Sequence, residues 1–446
     1  MKILVIVLIF ILPNLLLSKP GDLLWRYKCT DKFYTSSPIA DNEKVYFANE
    51  SLYAFTKKGD FKWSYRMTAR SFNTPCMDEN IIIYVSLIGN TVYACSTSSG
   101  KERWKKTIST DPYGKIETLL PIIGNGICFF TTQNAYVFGL DIPNGNTVLC
   151  SKIDGAFPLK SPVFSQNKIY VPDSSYPNNC SIYCINATNG SQIWKYTTDT
   201  YLQYELLVVN NMVYIGGYNS YAYALNAETG QLIWKVFASY ASRFADSKPC
   251  YSNGIVYFPG MKSEIDTGHL FAFNAANGEK IWERLDGEFT RIKFPAIDNE
   301  AIYLGGESYI YTNQVYAINK VNGQTMWTFW HDGNLIYQSS PCASDGIVFI
   351  GNNDNYLYAI ETYGYTGFKD NKSASYLPAK SLSVSPNPFS SRLSLSLPSS
   401  GAVYSLTGQL VMNLSKGKLS VDTSKWREGV YIVKSGMECK RIVKIR

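Results

Sequence analysis

Apolar and polar residues alternate along most of this chain in short runs punctuated by Gly, Asn and Asp. Lys44-Val-Tyr-Phe, Lys168-Ile-Tyr-Val, Met212-Val-Tyr-Ile, Gly254-Ile-Val-Tyr, Ala301-Ile-Tyr-Leu and Gly346-Ile-Val-Phe are typical. β-Branched and aromatic side chains suit a pleated, buried surface, so each run predicts a strand. A shorter segment precedes each one, as in Ser37-Pro-Ile, Ser161-Pro-Val and Ser340-Pro-Cys. Downstream comes a recurring frame, clearest in Ala224-Leu-Asn-Ala-Glu-Thr-Gly230-Gln-Leu-Ile-Trp234. It returns from Ala272 through Gly278 to Trp282, from Ala317 through Gly323 to Trp327, and from Cys184 through Gly190 to Trp194. Ala94, Gly100 and Trp104 fit it, and Ala54, Gly59 and Trp63 fit with one residue fewer. A degenerate copy turns at Gly145, with Cys150 one place beyond the Trp position. Asn-Gly or Thr-Gly inside the frame suits a tight hairpin, so each unit predicts four short antiparallel strands.

Successive Trp-type positions, from Trp25 to Trp327, are 38–48 residues apart. Four strands in roughly 40–45 residues make one propeller blade. Leu24-Trp25-Arg26-Tyr27 reads as a last strand without its blade, and 338–364 as a blade without its last strand. Joined, they predict an all-β, eight-bladed propeller closed by the N-terminal strand, with seven blades as the fallback. Closure removes the open edges that would invite aggregation.

The first residues break the pattern. Lys2 precedes an apolar run from Ile3 to Leu17, interrupted only by Pro13 and Asn14 and followed by Ser18. This is the layout of a cleavable secretory signal over 1–18; the alternative, a retained span, needs about 20 unbroken apolar residues. No Cys lies near Ser18, so the expectation is a soluble protein outside the cytoplasm, without a transmembrane anchor after cleavage. The 46% hydrophobic and 15% aromatic content is ample for a large core. The net charge of +7 sits in residues 371–446, with 12 Lys+Arg against 3 Asp+Glu; residues 19–370 carry −3. This balance gives no support to nucleic-acid binding, which needs a basic stripe.

The frame Ala-x-Asn/Asp-x-x-x-Gly-x-x-x-Trp resembles the repeat of pyrroloquinoline-quinone-type (PQQ-like) β-propellers, over about residues 22–364. That family includes quinoprotein alcohol dehydrogenases and the outer-membrane assembly factor propeller. The resemblance implies that Trp104, Trp194, Trp234, Trp282 and Trp327 pack between blades, and that Gly100, Gly190, Gly230, Gly278 and Gly323 make the turns. These roles are structural. A Gly-, Lys-, Asn- and Ser-bearing linker over 365–380 leads into a tail, 381–446, whose alternation predicts a small Ig-like β-sandwich. Its motifs are Val384-Ser-Pro-Asn-Pro-Phe389, Tyr404-Ser-Leu-Thr-Gly408-Gln, Gly429-Val-Tyr-Ile-Val433 and the basic finish Lys440–Arg446. In this order they are similar to the C-terminal sorting domain of the type IX secretion system. The similarity implies export through that machinery to the medium or cell surface of a Gram-negative envelope. The alternative is a permanent accessory module.

Candidate chemistry is sparse. Quinoprotein dehydrogenases carry adjacent cysteines and a Ca²⁺-binding acid and amide set; no two cysteines here are adjacent and no matching ligand segment is present. The resemblance therefore transfers no catalytic, cofactor-binding or metal-ligating residue, and no cofactor is expected. Asp111, Asp173, Asp246 and Asp332 read as turn residues. The only histidines are His269, approaching a strand, and His331, in Trp330-His331-Asp332-Gly333. Trp330, His331 and Asp332, with Tyr309 and Tyr311, form the candidate ligand face. Flat amphipathic rings there, and at Tyr176, Tyr218, Tyr221, Tyr363 and Tyr365, suit sugars or peptides; strand-end packing is the competing reading. Of ten cysteines, Cys76, Cys250 and Cys342 share a position held by Ile39 and Val163 elsewhere. Cys184 replaces the Ala of the frame, Cys95 and Cys128 fall where aliphatic residues recur, and Cys150 stands near the Trp position. All read as small apolar residues; Cys29, Cys180 and Cys439 are unassigned. The functional expectation is a monomeric, secreted or surface-displayed non-catalytic module that binds protein, peptide or glycan. An envelope-biogenesis scaffold resembling the outer-membrane assembly factor is the alternative, followed by a quinoprotein dehydrogenase or a glycosidase built across blades.

Overall fold

The computed structural model describes residues 19–444, apart from 30–35, 49, 68–72, 87–88, 119, 157, 175–179, 203–204, 241–243, 245–247, 262–267, 286–293, 307–313, 331–338, 353, 363–382, 386–391, 398–399, 406–408, 416 and 436–437. The expected signal segment 1–18 and linker 365–380 lie outside the described residues.

Among the described residues between 23 and 361 the chain forms eight four-stranded antiparallel sheets. Seven are meanders, over 39–66, 76–107, 122–152, 163–197, 207–237, 250–284 and 296–330. The eighth takes Cys342–Ser344, Ile347–Gly351 and Tyr356–Glu361 from one end of this region and Leu23–Lys28 from the other. First strands of neighbouring sheets lie side by side, as Cys76–Asp78 does with Ile122–Gly124, and Ile39–Ala40 meets Cys342–Ser344. The first strands are thus innermost in a circle of sheets, the arrangement of a β-propeller.

Burial follows from that placement. Middle strands have sheet on both faces and are almost wholly buried, as in Ser181–Asn186; outermost strands such as Gln192–Thr197 alternate exposed and buried residues. A second-strand tyrosine recurs among the largest fully buried side chains: Tyr46, Tyr84, Tyr170, Tyr214, Tyr257 and Tyr303.

The sheets are locked by the repeat frame. Gly100 has φ +69°, which L side chains rarely adopt, and a Cβ there would sit 2.4 Å from the ring of Trp63 in the preceding sheet. Trp194 lies in the same way on Gly230, Trp234 on Gly278 and Trp282 on Gly323. Each indole also donates across the interface: Trp63 Nε1 to the Thr97 carbonyl (3.0 Å), Trp194 to Ala227 (3.0 Å), Trp234 to Ala275 (3.0 Å) and Trp282 to Lys320 (3.1 Å). The hydroxyls of Tyr46, Tyr170, Tyr214 and Tyr257 reach the same four carbonyls. In the third sheet Leu149, opposite Gly139, takes the position that Trp234 takes opposite Ala224. Cys150 is exposed there, so the expectation that it stands in for the Trp is corrected.

The eighth sheet rebuilds this hairpin from separate chain segments. Gly21 N–H donates to the Glu361 carbonyl (2.8 Å) and Glu361 N–H to Asp22 (2.9 Å), repeating the Gly230–Asn226 and Asn226–Gln231 bonds at 2.9 Å each. Trp327 packs on Gly21, and Trp25 packs on Gly59 and donates to the Lys57 carbonyl (2.8 Å). Trp327 Nε1 is buried without a hydrogen-bond partner.

The tail forms two antiparallel sheets. One orders Ser383–Ser385, Arg392–Leu397 and Gly417–Asp422; the other orders Leu410–Leu414, Gly401–Ser405, Gly429–Ser435 and Glu438–Lys444. Leu393, Leu395, Val403, Val421 and Val433 share one core between them. No helix among the described residues is long and apolar enough to cross a membrane.

Candidate functional site

The position two residues before each innermost strand varies from sheet to sheet. In ring order it reads Ser37, Thr74, Leu120, Ser161, Glu205, Lys248, Phe294 and Ser340. Pro follows in seven sheets and Leu206 in the fifth. Proline fixes the entry angle into the strand and forgoes an N–H that the short first strand does not need. Hydroxyl residues link neighbouring sheets around this rim. Ser340 N–H donates to Ser37 Oγ (2.9 Å), Ser37 N–H to Thr74 Oγ1 (3.4 Å) and Leu120 N–H to Ser161 Oγ (3.2 Å).

The fifth and sixth sheets place opposite charges at this position. Glu205 is 1% exposed, and burial raises its carboxyl to about 7 despite the Lys248 ammonium and a hydrogen bond from the Ser161 side chain, which both favour ionisation. Its Oε1 has no hydrogen-bond partner, which is costly for a buried acceptor. Close to neutrality such a carboxyl accepts a hydrogen bond when ionised and donates one when protonated. A ligand N–H or O–H reaching the rim between Ser161 and Lys248 would relieve the open oxygen. A second polar patch lies nearby in sequence order: Lys160 Nζ pairs with Glu117 Oε1 at 3.5 Å, and Asn73 Nδ2 bridges the Val85 and Thr118 carbonyls.

Of the residues singled out from sequence, Trp330 ends the strand Thr325–Trp330 and is exposed. Tyr309, Tyr311, His331, Asp332, Asp246, Tyr176, Tyr363 and Tyr365 lie outside the described residues. His269 is buried within Gly268–Asn274. Asp173 is buried as an acceptor for Ser181 N–H (2.8 Å) and Tyr183 OH (3.3 Å), a structural role. Tyr221 meets Phe237 edge to face, and Tyr218 meets Tyr201 in the same way. Among the described residues no three His, Cys, Asp or Glu side chains group as metal ligands would. Glu205 and Lys248 were missed in the sequence; the clue was their place in the rim column, where Glu205-Leu206 departs from the x-Pro pattern.

The circle of four-stranded sheets and its indole–glycine interlocks define a repeat-built β-propeller. The family model described as outer membrane protein assembly factor BamB matches residues 15–196, 178–329 and 266–419, and the chain belongs to that PQQ-repeat family. Tetrathionate hydrolase of Acidithiobacillus ferrooxidans is 23% identical over 239 residues, covering 49% of this chain and 44% of the hydrolase, so the match spans less than half of that protein. BamB of Yersinia pestis is 22% identical over 292 residues, 61% of this chain and 69% of that protein. Among solved structures, BamB from Moraxella catarrhalis shares the fold with a TM-score of 0.59 at 14% identity, covering 76% of this chain and 99% of that one. A quinohemoprotein alcohol dehydrogenase from Pseudomonas putida HK5 shares it with a TM-score of 0.58 at 13% identity, covering 82% and 79%.

Proposed function

We propose that this chain is an exported, eight-bladed propeller that acts as a non-catalytic binding module of the Gram-negative envelope, taking a protein, peptide or glycan at its inner rim. The observation that carries the reading is the buried, unpartnered Glu205 Oε1 beside Ser161 and Lys248, at a repeat position that varies around the ring. Peptide amides and sugar hydroxyls both offer the donor that this oxygen lacks. Packing claims the conserved-looking frame residues, so specificity falls to positions such as this one. The tail, read as an Ig-like sorting domain, directs the propeller to the surface through the type IX machinery. Membership in a family described by an outer-membrane assembly factor favours a second reading, a scaffold for envelope assembly. That reading shares the binding ring and differs in location.

The test is binding of the purified full chain to peptide and glycan arrays, followed by titration of each hit with wild type and Glu205→Gln. The expected result is a hit whose affinity falls about tenfold in the variant, as for one lost charge-assisted hydrogen bond. Hits bound equally by both proteins would remove the rim from the reading.

A further inference from the structure

At every boundary between neighbouring sheets, the first residue of one innermost strand packs in the same apolar cluster as the second-strand residue of the next sheet. Aliphatic side chains meet at five of these boundaries, as Ile39 with Ile82 and Ile122 with Ile169. One thiol meets an aliphatic side chain at two more, Cys250 with Ile302 and Cys342 with Val45. Between the second and third sheets both positions are cysteine. Cys76 Sγ and Cys128 Sγ lie 3.9 Å apart, within van der Waals contact.

We propose that Cys76 and Cys128 form a disulfide that staples the second sheet to the third. A bond needs the sulfurs at about 2.05 Å, so the two thiols must close from their 3.9 Å separation. The linkage closes a loop between residues 52 apart in sequence, long enough for a large restriction of the unfolded chain. Ring closure in a propeller brings the first and last sheets together over a long loop, and a covalent tie within the ring lowers the number of sheets that must dock unaided.

The oxidant is a disulfide-bearing small molecule or protein. One cysteine thiolate attacks a sulfur of that disulfide, giving a mixed disulfide and releasing one thiol. The second cysteine thiolate then attacks the mixed disulfide, forming the Cys76–Cys128 bond and releasing the second thiol. The chain loses two electrons and two protons, and the oxidant gains them. Cys128 is buried and Cys76 half-buried in the finished interface, which favours exchange during folding, before the two sheets dock.

The location of this step rests on export to an oxidising compartment; the geometry does not. The test is refolding of the denatured, reduced full chain with oxidised and reduced glutathione. Free thiols are then alkylated in denaturant, and the chain is digested without reduction for mass spectrometry. The expected product is a cross-linked peptide pair carrying Cys76 and Cys128, split by dithiothreitol and still formed in Cys250→Ala and Cys342→Ala. Its reduction should lower the melting temperature by about 5 °C, a shift absent from Cys76→Ala/Cys128→Ala. Recovery of both residues as alkylated thiols would overturn the proposal. Formation in glutathione, with free thiols in chain taken from native cells, would support the site and overturn export.

Discussion

Glu205 is the residue at which position in the fold and chemistry diverge most. Its repeat position favours small hydroxyl residues that hydrogen-bond to the next sheet, yet it holds a carboxyl that burial pushes from 4.5 to about 7. Between those values the folded chain keeps a proton that the unfolded chain has released. Stability therefore falls as pH rises from about 4.5 to about 7. For a group this buried the loss is on the order of 3 kcal/mol. Asp41 and Asp199, lowered by hydrogen bonds and lysine neighbours against their own desolvation, act in the opposite sense at lower pH. The contribution of Glu205 is consequently the difference between wild type and Glu205→Gln in denaturant melts at pH 5 and pH 8. Wild type should lose more stability than the variant across that interval; parallel losses would mean that Glu205 is solvated. The same residue shows what sequence conceals. A single Glu before Leu-Leu looks like a solvated strand end, and only alignment around the ring reveals its burial and its Lys248 neighbour.

Among the elements, the strand Leu23–Lys28 does the most for its length. It pairs with Tyr356–Glu361, carries Trp25 onto Gly59, and forms with Gly21 and Asp22 half of a hairpin whose other half is more than three hundred residues away in sequence. Without it Tyr356–Glu361 would be an open edge, a template for pairing with other chains. Deleting residues 19–28 should turn the amides of Tyr356–Glu361 from slow to fast hydrogen exchange and promote self-association, and a synthetic 19–28 peptide should restore protection. Unchanged protection in the deleted chain would show that the ring closes by other means. Elements of this kind are legible in sequence because the frame is imposed by the backbone. A left-handed turn asks for Gly, and the flat indole four residues on covers the Gly of the next sheet. The third sheet is less legible because Leu149 holds the Trp position, whereas Cys150 beside it looks the more distinctive residue. The pairing of Cys76 with Cys128 is hidden for another reason. Each looks like an apolar substitution in its own repeat, and only the stagger between neighbouring sheets brings the two columns together.

Across the whole molecule, the proposal of an exported binding module draws on the apolar N-terminal run for export, on the ring of sheets for binding and on the basic two-sheet tail for sorting. The family relation accounts for the repeat architecture and by itself names no ligand. The most direct measurement is fractionation of the native cells, with mass spectrometry of both termini of the recovered chain. The account predicts a chain that begins at Lys19 and resides in the outer membrane, on the surface or in the medium. There, truncation between residues 365 and 385 would mark removal of the sorting tail. A chain found in the cytoplasm with Met1 in place would contradict it.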